Sequence, residues 1–432
     1  MLAILVYTFP VVGKLLLALA LLLAFSFFVR IFRLSEPRDY YFDEVYHVVT
    51  ARAYSQNNPD AYDPFAPAPE EDTAFDWLHP PLAKLIQAGS IKIIGDEPIG
   101  WRLPSAIFGT AIVGATYLAA FVLFGPVVAI FSAAVLAFEN LNLVMSRITM
   151  NDVFVVFFIV VSFVFGHKYL STNKFKHLLL TCLLLGLSVA SKWTGAYAIL
   201  AVGAYIFFGK MKERKVDFKL ILLLAIPAAV YLLSYGQFWL QGHSVRQFID
   251  LHKQIWWYQN RHDLEHSYGT TPLFCVPKGL EGPKTWCPWF LNSRGVYFSY
   301  EQYDQRAGYI YALGNPLIFW SGILAVSYLI GKYLDERKKE YLLILLGYFI
   351  FWVPWIFTPR LLFLYHYLPS IPFLAISIGL VLTSIWRTRF KYLSILILLI
   401  FAGAFFYFYP ITSGFPIEPE SIEKYMWLST WR

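Results

Sequence analysis

Runs of roughly twenty apolar residues recur along most of this chain, and no other feature so limits what it can become. Backbone in hydrocarbon must satisfy its own hydrogen bonds, so each run reads as a helix crossing a bilayer. The runs fall at 11–32, 98–124, 126–145, 151–167, 177–191, 194–209, 219–240, 313–331, 341–358, 362–385 and 391–410. They predict an all-α polytopic membrane protein with about 11 transmembrane helices, organised as one transmembrane domain over 1–432. A hydrophobic share of 58% against 15% charged residues excludes an ordinary soluble domain. The first run is too long for the core of a signal peptide and shows no small-residue cleavage site, so it is expected to stay as the first span.

Three polar stretches interrupt the pattern: 34–97, 241–312 and the tail 411–432. The first is too rich in Pro, Asp and aromatic residues to be one helix. Within it, 43–54 suits a short amphipathic helix, and 77–94 a second one with Pro80 and Pro81 near its first turn. The formal charge of +7 does not point to nucleic acid, because the basic residues gather in short loops between apolar runs. Lys168, Lys174 and Lys176 share one loop; Lys210, Lys212, Arg214, Lys215 and Lys219 the next. Lys332, Arg337, Lys338 and Lys339 fill a third, and Arg387, Arg389 and Lys391 a fourth. Alternating spans put all four on one side, which the positive-inside rule makes the cytoplasm. Arg30 and Arg33 oppose that count and are outweighed by these fifteen. The N-terminus is then expected in the cytoplasm and all three polar stretches outside it.

On that outer face the span ends carry most of the chemistry. Tyr40-Tyr41-Phe42-Asp43-Glu44-Val45-Tyr46-His47 follows the first span, and Asp43 is the candidate general base. Glu44, about 100° further round a helix, is suited to hold a cation rather than share the proton. Arg102 opens the second span; Arg147, Asn151 and Asp152 lie in the turn between the third and fourth; Lys192 precedes the sixth; Arg360 precedes the tenth, near His366. His79 and Lys84 complete the set. Cations beside carboxylates at a low-dielectric boundary suit a lipid phosphate, and a lipid-linked sugar phosphate would present such a leaving group. No His/Asp cluster demands a metal. A lipid or sugar transporter would place ionisable groups near mid-membrane, often in paired repeats, and neither pattern is found. Each nominee has a structural alternative: Asp43 and Glu44 as solvated charges, Arg102 and Arg147 as anchors at span ends, Asp152 as a helix cap. His79 could be a loop hydrogen-bonder, Lys84 could face headgroups, and His366 could sit in an aromatic belt. Trp256-Trp257-Tyr258 reads as a membrane-surface cluster.

At these residues the chain resembles the protein O-mannosyltransferase family. The resemblance rests on Phe42-Asp43-Glu44, His79-Pro80-Pro81-Leu82-Ala83-Lys84, Trp101-Arg102-Leu103-Pro104, the stretch Gly186 to Gly195 around Ser191-Lys192-Trp193, Phe363 to Pro369 around Tyr365-His366-Tyr367, and Tyr409 to Gly414. It implies a GT-C glycosyltransferase that moves mannose, with inversion, from a polyprenyl-phosphate-mannose donor to Ser or Thr hydroxyls of proteins emerging from the secretion channel. It also implies that Asp43 is the base and that Arg102 is functionally important. The lipid-linked donor is then a co-substrate, with no cofactor and no metal, and membrane lipid is a further partner. The stretch 241–312 is too short for the β-trefoil MIR domain of eukaryotic members, which resembles prokaryotic members acting at the plasma membrane and leaves the oligomeric state open. That stretch keeps only part of the family's loop pattern, with His266-Ser267-Tyr268 and Trp286-Cys287-Pro288-Trp289. A GT-C enzyme acting on a cell-envelope lipid or glycan is therefore the alternative. Cys275 and Cys287 share this stretch, where an oxidising face would permit a disulfide.

Overall fold

The structure, a computed structural model, describes residues 2–212, 217–261, 289–357 and 362–431. Every apolar run forms helix. In chain order the helices are α1 (Leu2–Ile31), α2 (Glu44–Ser55), α3 (Leu82–Ile94), α4 (Pro98–Phe124), α5 (Pro126–Ala137), α6 (Asn140–Met145), α7 (Asp152–Thr172), α8 (Phe175–Ser191), α9 (Gly195–Lys212), α10 (Leu222–Ser234), α11 (Gly236–Leu240), α12 (Val245–Gln259), α13 (Pro316–Glu336), α14 (Lys339–Phe349), α15 (Ile371–Trp386) and α16 (Lys391–Ser413). Among the described residues seven helices are long and apolar enough to cross a membrane, and the apolar helices at Pro126–Ala137, Phe175–Ser191 and Phe218–Ser234 are shorter.

Several of the expected spans are interrupted. The run 126–145 stops at Phe138 because the Glu139 carboxylate accepts hydrogen bonds from Leu141 N and Asn142 N, which starts α6 afresh. The run 219–240 breaks at Tyr235 between α10 and α11, and the run 341–358 leaves α-helix after Phe349 for a 3-10 turn at Val353–Phe357. Beside the helices, among the described residues, stands one short hairpin in a stretch that the sequence reads as polar loop. Residues Val296–Tyr303 (β1) and Arg306–Ala312 (β2) pair antiparallel from Val296↔Ala312 to Tyr303↔Arg306, with a bulge between Tyr297 and Ser299. The tail joins this hairpin through reciprocal backbone hydrogen bonds between Ala307 and Ile417, of 2.8 and 2.9 Å.

Helix α7 is apolar all round and lies almost wholly inside the bundle, with α15 beside it in the core, whereas α1 shows most of its surface outward. Close packing is set by small residues: a Cβ on Gly186 of α8 would fall 2.6 Å from Val230 of α10. Gly125, with φ of 92°, turns the chain from α4 directly into Pro126 at the first turn of α5. Tertiary contacts separate the two ends of the bundle. At one end Lys210 Nζ donates to Asn173 Oδ1 (3.0 Å) and Lys339 Nζ to Ser171 Oγ (3.4 Å). At the other end the polar stretch 34–97 folds over the span ends, where Arg52 pairs with both Glu70 and Asp96.

Candidate active site

The chain turns into α2 at Phe42, whose φ of 51° puts a bulky residue in the left-handed region. Such a conformation costs of order 1–3 kcal/mol and persists only where its surroundings over-determine it. Here Phe42 stacks on Phe298 of β1 with centroids 4.0 Å apart, and lies edge-on to Phe363 and Tyr365. The next residue, Asp43, stands at the N-cap of α2, yet its side chain does not cap the helix. No hydrogen bond or ion pair claims this carboxyl among the described residues. Burial pushes it up to about 6, with Asp76 and Asp152 adding to the effect and His47 and Lys192 opposing it.

The groups around Asp43 are themselves paired. Asp76 Oδ2 accepts from Lys84 Nζ at 2.5 Å and lies 3.0 Å from His47 Nδ1, while Asp76 Oδ1 accepts from Leu78 N. Burial alone would raise the Asp76 carboxyl, but the Lys84 ammonium, with His79 and His47, holds it well below the usual carboxylate range. Burial lowers the Lys84 ammonium, against the pull of Asp76. It also depresses the His79 imidazole to about 3, so His79 is neutral. On the other side Lys192 Nζ donates to Asp152 Oδ1 at 2.8 Å and lies 5.7 Å over the ring of Tyr365. Among the described residues, Asp152 Oδ2 and both amide atoms of Asn151 are buried without a protein partner. Asn151 makes no side-chain cap to α7, so these polar atoms remain available to a ligand.

Glu44 points elsewhere. Its carboxylate, wholly buried, accepts from Arg102 Nε (2.9 Å) and Nη2 (2.7 Å), from Thr149 N (3.0 Å) and from Tyr41 N (3.4 Å). The remaining Arg102 donors go to the carbonyls of Leu34, Pro37 and Asp39. All five N–H groups of Arg102 are thereby used. Arg147 donates to the carbonyls of Val29, Arg30, Phe32 and Arg33 at the end of α1 and to Ser413 at the end of α16. Arg102 and Arg147 spend these donors inside the protein, where a lipid phosphate had been expected, and Glu44 holds the Arg102 cation, the part expected of it.

The other nominated residues divide in the same way. His79, Lys84, Asp152 and Lys192 gather around Asp43. His366 stacks on Tyr365 and Trp289 and meets Trp355 edge-on, one residue from the ring beneath Lys192. Arg360, Cys275, Cys287 and the His266-Ser267-Tyr268 stretch lie outside the described residues. Sequence reasoning missed Asp76, His47 and Tyr365. Asp76 adjoins Trp77-Leu78-His79, but eight residues and a Pro-Pro step separate it from Lys84, so no helical register announced their pairing.

A carboxylate without a partner among the described residues, beside paired lysines at one end of a membrane bundle, suits group transfer at the membrane face, and the comparisons give the class, a polytopic glycosyltransferase of GT-C type. The fold agrees. The Saccharomyces cerevisiae protein O-mannosyltransferase Pmt1-Pmt2 complex bound to the sugar donor matches with TM-score 0.75 at 17% identity, over 97% of this chain and 93% of that one. The Archaeoglobus fulgidus oligosaccharyltransferase matches with TM-score 0.59 at 14% identity, over 92% and 55%. Residues 20–241 match the dolichyl-phosphate-mannose-protein mannosyltransferase family, and residues 244–431 match the C-terminal four TMM region of protein-O-mannosyltransferase. This chain belongs to the protein O-mannosyltransferase family. Among curated relatives, the polyprenol-phosphate-mannose–protein mannosyltransferase of Corynebacterium glutamicum is 26% identical over 435 residues, covering 82% of this chain and 81% of its own length.

Proposed function

We propose that this protein transfers mannose from polyprenyl-phosphate-mannose to Ser or Thr hydroxyls of proteins, with inversion, at the membrane face that carries Asp43. The observation that carries the reading is the Asp43 carboxylate, unpaired among the described residues and raised toward neutrality. In this reading Asp43 takes the proton of the acceptor hydroxyl as its oxygen attacks the anomeric carbon. The bond from that carbon to the phosphate oxygen breaks, and the lipid phosphate leaves with both electrons. Lys192, already aimed at the site by Asp152 and Tyr365, meets the departing charge. Asn151 and Asp152 Oδ2 offer hydrogen bonds to sugar hydroxyls. His79, held neutral, supplies a ring N–H or an acceptor without adding charge.

The basic loops at the opposite end favour a plasma-membrane protein with its N-terminus in the cytoplasm and this site outside, where acceptors leave the secretion channel. No metal is invoked, and EDTA is expected to leave the rate unchanged.

The test is a transfer assay on membranes holding the full chain, with labelled polyprenyl-phosphate-mannose and a Ser/Thr-rich peptide. Label on the peptide is the expected result. Label found in a cell-envelope lipid or glycan would move the acceptor while keeping the donor chemistry. A protein that leaves the donor's mannose in place would overturn the proposal.

A further inference from the structure

Three spans end around one cavity at the end of the bundle opposite Asp43. Helices α4, α13 and α15 stop at Phe124, Glu336 and Trp386, and α5 and α14 turn back from the first two of these ends. Both turns are tight. Gly125 alone separates α4 from α5, and Arg337, with φ of 52°, caps α13 in the left-handed region and leaves only Lys338 before α14. Phe124 stacks on Tyr341, with centroids 5.6 Å apart, and Tyr328 Oη lies 2.8 Å from Ser384 Oγ. These contacts join α4 to α14 and α13 to α15, and the space left among the helix ends is about 580 Å³. Pockets for small ligands run from roughly 300 to 1,000 Å³.

The lining changes character along each helix. On α13 it passes from Leu329 to Lys332 to Glu336, and on α15 from Leu380 through Thr383 to Arg387. Steps of three and four residues keep each set on one helix face, apolar within the span and charged at its end. Trp386, Phe390 and Tyr392 are exposed around the turn from α15 to α16, the aromatic residues that mark headgroup depth in a bilayer.

The charges at the mouth do not balance. Lys332 and Lys338 share one carboxylate, Glu336, at 3.1 and 2.5 Å, and Glu340 lies 3.9 Å from His167 Nε2. The Arg387 side chain has no hydrogen-bond or ion-pair partner among the described residues. Lys332, Lys338 and Arg387 against Glu336 and Glu340 leave a surplus of one positive charge. Its unengaged member is a guanidinium, whose planar fork suits phosphate oxygens.

We propose that this cavity holds the headgroup of an anionic phospholipid from the leaflet at that end, with its phosphodiester on Arg387 and the start of its chains against Leu329 and Leu380. One phosphodiester carries the single negative charge that the surplus calls for. Basic pockets between spans at headgroup level bind lipids in this way. A free phosphate would meet the cations and leave the apolar half of the cavity unfilled. The site lies at the opposite end from Asp43 and does not depend on the transfer reaction.

The test uses the purified full chain in a neutral detergent, with native mass spectrometry to count bound molecules. The probe is phosphatidylglycerol; phosphatidylcholine is its zwitterionic counterpart, and glycerol phosphate is the headgroup without chains. One phosphatidylglycerol per chain is expected, bound about tenfold or more tighter than phosphatidylcholine and not displaced by glycerol phosphate. Arg387→Glu should weaken it by about tenfold or more, and Ser384→Trp, which keeps every charge and fills the cavity, should do the same. Arg389→Glu makes the same change of charge two residues on, outside the lining, and should leave the affinity within about twofold. All three side chains are exposed, so the variants are expected to fold. Equal losses for Arg387→Glu and Arg389→Glu would mean a general attraction of anionic lipid to a basic surface and would overturn the assignment. Wild-type affinity in Arg387→Glu or Ser384→Trp, or equal affinity for the two lipids, would overturn it too. Displacement by glycerol phosphate would make the ligand a free phosphate and not a lipid.

Discussion

Asp43 and Glu44 are adjacent in the chain and chemically alike, yet the fold gives them opposite fates. Glu44 is enclosed, fills its lone pairs from Arg102, Thr149 and Tyr41, and joins α2 to α4 and to the turn before α7. Asp43 lies where Lys84 and Lys192 are each already paired with another carboxylate, and among the described residues its own oxygens are unclaimed. A buried, saturated ion pair fixes geometry and has no capacity left for a ligand. An unpaired carboxylate held at a fixed place is costly to ionise and, for the same reason, reactive. The cluster with less internal satisfaction is the one equipped for chemistry, and the saturated clamp is what keeps it in position.

The comparison breaks most directly at Asp43. Asp43→Asn keeps the volume and removes the basicity, so transfer should fall by about 10²–10⁴-fold, the range for a general base. Stability should hold or rise, since a carboxylate that resists ionisation is being replaced by a neutral group. A variant with wild-type turnover would remove Asp43 from the base role.

The clamp predicts the reverse pattern. Arg102→Ala leaves the buried Glu44 charge without its partner and three backbone carbonyls without donors, a loss of about 3–5 kcal/mol. It should appear first as a lowered unfolding temperature or poor accumulation of folded protein. A folded Arg102→Ala protein of normal stability, with only its donor KM raised, would return Arg102 to the phosphate and erase the contrast drawn above. Lys192→Gln should do less to the fold, because Asp152 keeps a hydrogen-bond donor, and should slow transfer by about tenfold or more through the lost charge at the leaving phosphate. An unchanged rate would place the leaving group elsewhere.

How much of this was legible in the sequence follows from the range of the interactions. The apolar runs depend on residues within one helix, and each of them does form helix. The interruption at Glu139 was signalled by Phe138-Glu139-Asn140-Leu141-Asn142, where polar residues break an apolar run. The hairpin was signalled by the alternation in Val296-Tyr297-Phe298-Ser299-Tyr300. Both signals are local: hydropathy averaged over a longer window outweighed the first, and the second lies in a stretch read whole as polar loop. Partner choice is not local. That Arg102 meets Glu44 across 58 positions, and Lys192 meets Asp152 across 40, depends on how span ends come together. The sequence pointed to Asp43, His79, Lys84, Asp152 and Lys192 together and could not say which cations would already be occupied. The angle expected between Asp43 and Glu44 did foretell their separation, because one helical turn decides it.

The smallest effect, and the one that bears most closely on the state of Asp43, is the pH dependence. Its carboxyl is raised from an ordinary 3.8 to about 6 by burial. The base works only when ionised, so transfer should be near its plateau at pH 7.5. It should fall to about half at pH 6 and to about a tenth at pH 5. Stability through this group runs the other way. For a carboxyl raised on folding, the stabilising contribution is complete below the unfolded value of 3.8 and is lost as pH rises through about 6. Acid therefore slows the enzyme in this window without unfolding it through Asp43. Asp76, held well below its ordinary value, contributes stability above 3.8 and loses it only as the pH falls through its still lower folded value, outside the window. A rate profile that falls between pH 7 and 5 while the unfolding temperature holds or rises is the expected result. A rate that stays flat to pH 5 would mean a carboxyl ionised as readily as one in water, and Asp43 would then be as well satisfied as Glu44.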